Sequence, residues 1–350
     1  MYADRISPNS RNNGTSTSPE SPSETHGART PFITVAIPTF HRVELLTRAV
    51  ESVLAQTYAD WELVVSDDEE GEGEAWLYLQ SISRHDPRIR PVKNTEPHGQ
   101  VSNTNNALRH ARGEWIKLLH DDDILKPYCL SELAGVVQRF AHLPIASVTC
   151  GVERYVDGVL IPPGRRAGWP ELELIPREEI HKVMYLAEDA GGAAPSQKLI
   201  HRRVLERGVV MEQHNGFHLS VDSWFNARVG ECGDLLLYRK PLVEWHQGAH
   251  DTETVRLDDT ADRELLELRE TLWELIPDRT DLPPPTIVRQ MVALQRALWR
   301  FRRGNVAAGA RLLAEVRSPA ALVEYSRWII HNLSKGNWSR GKRIRLNPAG

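Results

Sequence analysis

The stretch Gly113-Glu-Trp-Ile-Lys-Leu-Leu-His-Asp-Asp-Asp123 joins a short apolar run to three consecutive aspartates. A run of that length and character reads as a buried strand that ends in an acidic loop. Three more candidates of the same kind lie upstream: Phe32-Ile-Thr-Val-Ala-Ile37, stopped by Pro38, then Trp61-Glu-Leu-Val-Val-Ser66, then Arg88 to Lys93. Between them the apolar period changes to that of a helix. Leu45, Leu46, Ala49, Val50, Val53 and Leu54 fall on one face, and Ala75 to His85 and Val101 to Arg112 continue the alternation. Strands alternating with helices imply right-handed parallel crossovers, and such sheets hold ligands outside the carboxyl ends of their strands. The expected fold is therefore α/β, a Rossmann-like, mostly parallel sheet flanked by helices, with function placed after the strands.

Beyond the acidic loop, Leu130, Leu133, Val137 and Phe140 predict a helix, Ile145 to Cys150 a strand and Val156-Asp157-Gly158-Val159 a hairpin turn. Gly191-Gly-Ala-Ala-Pro195 is a loop signal ahead of a second structured stretch, Leu199 to Tyr238. After Pro283-Pro-Pro285, residues Val288 to Leu313 are helix-rich. The chain accordingly divides into a polar leader over 1–31, a first α/β half over 32–150, a second half over 151–256, and a helical C-terminal region over 257–350 with a basic tail.

Composition narrows the function classes. Of 350 residues, 41% are hydrophobic and 26% charged, the profile of a globular chain with a sizeable core. With 43 basic and 47 acidic residues the formal charge is -4, so no global basic field attracts nucleic acid. The three cysteines, Cys129, Cys150 and Cys232, lack the short spacing of a metal knuckle or redox pair and suit a reducing cytoplasm. No run approaches the ~18 apolar residues of a transmembrane helix. Trp328-Ile-Ile330 followed by the basic stretch Lys335 to Arg345 admits either a solvated tail or a peripheral contact with an anionic membrane surface. A homodimer is compatible with this composition.

Asp67-Asp68 and Asp121-Asp122-Asp123 both follow strands, where this topology puts ligands. Hard divalent cations such as Mg2+ and Mn2+ take carboxylate oxygens and share their coordination sphere with substrate phosphates. The same three aspartates also suit the N-terminus of a helix starting near Pro127. His246 and His250 are spaced by four but lack the glutamate and the helical context of a zinc hydrolase pair. Either histidine fits a structural role as well as a ligating one.

In order along the chain, Ile37-Pro38-Thr39 with Arg42 and Leu45-Leu46, Ser52-Val-Leu-Ala-Gln-Thr57, Glu62-Leu-Val-Val-Ser-Asp67-Asp68, Asn94 to Gly99, Asn103 to Leu108 and Gly113 to Asp123 resemble the motifs of family 2 glycosyltransferases. The resemblance implies a GT-A fold and an inverting transfer of sugar from a nucleoside diphosphate donor of UDP or dTDP type to a hydroxyl or amine acceptor. It assigns Pro38, Thr39, Arg42, Asp67, Asp68, Asn105 and Asp121 to the nucleotide-sugar, with Asp122 as ligand of Mn2+ or Mg2+ and His246 near the metal or diphosphate. Ser220-Val-Asp222-Ser-Trp-Phe225 is similar to the motif that supplies the base, which makes Asp222 the catalytic candidate. The first half would then bind the donor and the second the acceptor, whether small molecule, saccharide or lipid-linked. Three positions depart from the pattern: His120 replaces its first acidic residue, Thr104 an arginine and Ala107 a glycine. A noncatalytic nucleotide-sugar or glycan binder, and a metal-dependent nucleotidyl or phosphoryl transferase, use overlapping residues, although no Walker loop is present.

Overall fold

The computed structural model describes residues 30–162, 169–188, 194–218, 220–247, 259–335 and 339–347. The leader up to residue 29, His250 and most of the Gly191–Pro195 loop signal lie outside them. The first half alternates as its apolar periods predict: β1 (Ile33–Thr39), α1 (Val43–Leu54), β2 (Trp61–Asp67), α2 (Glu74–Ser83), β3 (Ile89–Lys93), α3 (Gln100–His110) and β4 (Trp115–Leu118). All seven residues of β1 and all seven of β2 are buried, which requires cover on both faces of the sheet. Successive side chains of a strand point to opposite faces. Ile33, Val35 and Ile37 accordingly pack with Leu46, Val50 and Val53 of α1, while Ala36 packs with Ala107 and Leu108 of α3.

β3, β2, β1 and β4 lie side by side, all parallel. Pro38 does not stop β1, which runs on to Thr39 opposite Asp67. Ala36 accepts from Leu119 N at 3.0 Å, so Pro38, two residues on, faces the same side, beyond the last β1–β4 pair, Ala36 with Leu118. Its missing N–H deprives no neighbouring strand there.

The second half adds β5 (Ile124–Leu125), α4 (Cys129–Arg139), β6 (Ile145–Val156), β7 (Val159–Ile161), β8 (Leu172–Ile175), α5 (Arg177–Tyr185), β9 (Lys198–His201), α6 (Arg203–Glu206), α7 (Val221–Gly230) and β10 (Asp234–Gln247). Asp157 and Gly158, both at positive φ, make the tight turn between β6 and β7. β9 runs antiparallel between β4 and β6, so the parallel order ends there, and β10 pairs parallel with β6. β10 also carries β8 and, near its far end, β5.

The C-terminal region holds α8 (Asp259–Leu275), α9 (Pro285–Arg302), α10 (Val306–Leu313) and α11 (Pro319–Leu333). These helices share a core with the second half: Leu268, Leu272, Val288 and Met291 cluster with Tyr185, Phe217 and Trp224. The last described residues are not a solvated tail, because β11 (Ile344–Arg345) pairs with β8. Arg343 lies 3.9 Å from the buried carboxylate of Glu173, which Arg239 also approaches to 2.6 Å. A buried acid close to two guanidinium groups gives that segment an electrostatic reason to dock.

One buried side chain ties the parallel strands together. Glu62 of β2 accepts from Thr34 Oγ1 (2.7 Å), Arg90 Nη1 (2.9 Å) and Arg112 N (2.7 Å), linking β1, β3 and the turn before β4. That turn needs Gly113, since a Cβ there would stand 2.4 Å from Thr34 N. Glu62→Ala removes all three bonds, leaving Arg90 only His110 O and Arg112 N only Thr34 Oγ1 as acceptors, and is expected to lower unfolding stability by about 2–3 kcal/mol, read as a fall in the urea midpoint at unchanged slope. A loss under about 0.5 kcal/mol would show that the carboxylate holds nothing together.

Candidate active site

The carboxyl ends of β1, β2 and β4 bring three of the expected groups into one region, but with different jobs. Asp67, fully buried, faces Lys93 Nζ at 2.7 Å and accepts from Glu69 N at 3.1 Å. Lys93 in turn lies over the Trp76 ring, 4.6 Å from its centre. Asp68 accepts from Asn94 Nδ2 at 2.6 Å and Gly99 N at 2.8 Å, with His98 Nδ1 at 3.3 Å. Both carboxylates therefore hold the two loops that rim the site, 69–73 and 94–99.

Asp121 is buried under the end of β1. Thr39 Oγ1 donates to its Oδ2 at 2.8 Å, and Asn103 Nδ2 donates to Thr39 O at 2.9 Å. Arg42, just before α1, reaches Asp121 Oδ1 at 3.4 Å and Asp122 Oδ2 at 3.3 Å. Burial raises the Asp121 pKa, and the Thr39 hydroxyl and then the Arg42 charge work against that rise.

His120, Asp122 and Asp123 form a cluster in which one ligand atom from each lies within 4.8 Å of the others. Its floor is Ser196, whose hydroxyl accepts from His120 N at 2.9 Å and whose carbonyl accepts from the buried Lys117 ammonium. Burial pushes the Asp123 carboxyl up to about 6, against the pull of neighbouring His120. His120 Nε2 and Asp123 Oδ1 are buried with no hydrogen-bond partner. Each is a buried polar atom that costs free energy unless something pairs with it. Carboxylate oxygen and imidazole nitrogen are both ligands of divalent cations, so the donor set fits a metal ion.

The helix-cap reading of the acidic run does not survive. α4 begins only at Cys129, after β5, and its N-cap, Tyr128, makes no side-chain cap. His246 is not in the cluster: it lies two residues beyond Glu244, the last β10 residue paired with β5. There its Nε2 is 3.3 Å from Glu244 Oε2, and its ring stacks on Tyr155 with centroids 4.9 Å apart. Asn105, expected at the nucleotide-sugar, has its amide engaged within the protein. Its amide donates to Met211 O at 2.7 Å and accepts from Met211 N at 2.9 Å, a bracket between α3 and the second half that uses both ends of the side chain.

Asp222 sits half-buried in the first turn of α7, whose Val221 and Phe225 pack in the cluster that contains Ala36, Ala107 and Leu118. Pro38, the β1 residue just before Thr39, lies opposite Ser66 of β2. Asn103 and Ser196 were not singled out as site residues in the sequence. Both are neutral side chains whose importance depends on partners 64 and 76 positions away, a separation that no local pattern encodes.

A family model described as Glycosyl transferase family 2 matches residues 34–208, half of the chain. Similar curated proteins include the putative colanic acid biosynthesis glycosyl transferase WcaA of Escherichia coli, 37% identical over 137 residues, 38% of this chain and 48% of that one. Another is the GalNAc(5)-diNAcBac-PP-undecaprenol beta-1,3-glucosyltransferase of Campylobacter jejuni, 36% identical over 115 residues, 32% of this chain and 37% of that one. The match thus spans less than half the length of either relative. Among solved structures, the mannosyltransferase PcManGT of Pyrobaculum calidifontis, in complex with GDP-Man and Mn2+, superposes with a TM-score of 0.51 at 17% identity, covering 89% of this chain and 85% of that one. TarS of S. aureus in complex with UDP-GlcNAc gives 0.52 at 13% identity, covering 87% and 88%. From the ordered motifs, the parallel β3-β2-β1-β4 sheet and these likenesses, the chain belongs to glycosyl transferase family 2 and has the GT-A fold.

Proposed function

We propose that the protein is an inverting glycosyltransferase that moves a sugar from a nucleoside diphosphate donor of UDP or dTDP type to a hydroxyl or amine acceptor, with a divalent cation at the acidic turn. The observation that carries this reading is the His120–Asp122–Asp123 cluster with its two unpartnered buried atoms, set beside the Thr39–Asp121–Arg42 linkage at the ends of β1 and β4. That two structural neighbours were solved with UDP-GlcNAc and with GDP-Man plus Mn2+ supports it. Asp122 and Asp123 would hold Mn2+ or Mg2+ with His120, and a cation there would neutralise charge on a departing diphosphate. The β10–β5 pairing adds Leu125 to Val243 and Ile124 to Glu244. His246 lies two residues past that pairing on β10 and is a candidate for the diphosphate.

The residues divide the remaining work. Asp121, its charge supported by Thr39 and Arg42, is placed to accept hydroxyl donors of the nucleotide ribose. The loops held by Asp67 and Asp68 form the wall against which the base rests. Asp222 takes the proton from the acceptor as that atom attacks the anomeric carbon opposite the leaving group. No covalent sugar–enzyme bond is needed.

Calorimetry with UDP and Mn2+ tests the metal reading. Wild-type protein is expected to bind UDP at least ten times more tightly with Mn2+ than without, and Asp122→Ala to lose that difference. Equal binding by the two proteins sinks the assignment. Asp123 accepts a proton as the pH falls through about 6, and a protonated carboxyl competes with the cation, so Mn2+ affinity should be level above pH 7 and fall several-fold by about pH 5.5.

For the base, Asp222→Asn should leave UDP affinity within about twofold while slowing transfer roughly 100-fold or more. Turnover at the wild-type rate would remove Asp222 from the mechanism.

A further inference from the structure

Helix α11 turns an apolar stripe to solvent. Its inner face is fixed: Ala321 and His331 are buried, Trp328 Nε1 donates to Ala187 O at 3.2 Å, and His331 meets the Trp169 ring edge-on at 5.3 Å between centroids. The outward face then carries Leu322, Val323, Ile330 and Leu333, all exposed, Leu333 to 77%. On the neighbouring helix α10, which like α11 packs against α9, Val306 and Leu313, seven apart, are also exposed, Val306 to 64%. A helix with one side packed on protein ordinarily presents polar residues on the other. A contiguous exposed apolar patch marks an interaction site.

The segment that carries the stripe is basic, although Arg327 pairs with Glu324 at 2.8 Å. Residues 298–335 hold seven basic side chains against two acidic ones, Glu315 and Glu324, in a chain whose formal charge is -4. Arg302, Arg303, Arg311, Arg317, Arg327 and Lys335 are all exposed. We propose that the α10–α11 surface seats the protein on an anionic lipid bilayer, with the leucine and isoleucine side chains entering the headgroup boundary and the arginines contacting acidic headgroups.

Two other partners fit less well. In a two-fold self-association the same patch faces itself, which would bring like-charged arginines together around the seam. Nucleic acid would suit the arginines but leave the leucines facing phosphates and sugar rather than an apolar layer. An amphipathic helix with basic flanks lying in the bilayer interface satisfies both features, since long basic side chains extend their charges to the headgroups while their stems rest on apolar surface. This inference concerns where the protein works and stands whether or not sugar transfer is its chemistry.

Sedimentation with vesicles tests it. The full chain is mixed with vesicles of phosphatidylglycerol and phosphatidylcholine in equal parts, or of phosphatidylcholine alone, at about 0.1 M and about 0.5 M NaCl. Uptake by the anionic vesicles should exceed uptake by the neutral ones at least tenfold and fall at the higher salt. Ile330→Asp combined with Leu333→Asp should abolish it. Arg302→Glu combined with Arg311→Glu should weaken it about tenfold or more at the lower salt. All four positions are exposed or point outward, so circular dichroism and UDP affinity should stay at wild-type values. Equal uptake by both lipids overturns the proposal, as does undiminished uptake by either double variant. So does a wild-type dimer on size-exclusion chromatography that both double variants dissociate and that ignores vesicles.

Discussion

The hydrogen bond from Thr39 Oγ1 to Asp121 Oδ2, 2.8 Å long, closes the end of β1 onto the end of β4, and the geometry of the candidate site follows from it. Parallel pairing aligns the two strands only as far as Ala36 and Leu118. Past that point no ladder joins β1 to β4, although β1 stays paired with β2 to Thr39, and the Asp121 carboxylate takes over as the connection between the two strand ends. Asn103 of α3 grips the Thr39 carbonyl from the same crossover that covers Ala36, so helix, strand end and acidic turn form one linked unit. Losing the hydroxyl would leave Asp121 buried with only a long contact to Arg42, a costly arrangement for a carboxylate.

Most buried acids in this half have enough partners to be structural. Glu62 has three donors, Asp67 a lysine and a backbone N–H, and Asp68 an asparagine and a backbone N–H. The acidic turn differs because its donors run out. Arg42 serves Asp121 and Asp122 at long distance, and Asp123 is left with an unpartnered oxygen and a carboxyl that burial pushes up to about 6. A half that satisfies Glu62, Asp67 and Asp68 and leaves Asp123 short places the deficit where a cation would remedy it.

The parallel half was legible because its information is local. Runs such as Ile33–Ile37 and the helical spacing of Leu46, Val50 and Val53 specify burial on two faces without knowledge of the rest of the chain. The hairpin at Asp157-Gly158 was readable for the same reason, since its residue types determine its turn. What escaped depends on distant pairing. Asn105 matched a motif, yet whether its amide faces a ligand or Met211 depends on a segment 106 positions later. Pro38 looked like a strand terminator because a proline is harmless only where one side of a strand lacks a partner, and that depends on where β4 ends. The basic run near the C-terminus suggested a solvated tail, and only the buried Glu173 on β8 explains why Arg343 comes inward.

The C-terminal helices also bear on chemistry, through Glu264 of α8. Its buried carboxylate accepts from His218 N at 3.0 Å and Ser220 N at 2.9 Å, the two backbone groups that lead into α7. Ser220 is the N-cap of that helix but makes no side-chain cap of its own. A carboxylate supplied from another helix thus takes the N-cap N–H, as the acid of a capping box does, and favours the positive end of the helix. Asp222 is in the turn so fixed. Trp224, two residues further in, is anchored through its Nε1 to Glu212 at 2.9 Å and packs with Leu268 and Leu272 of α8. The segment carrying the candidate base is therefore held from its C-terminal neighbours as much as from the sheet. The region after residue 257 belongs to the architecture of the site, and it links the apolar face of α11 to the same body that carries Asp222.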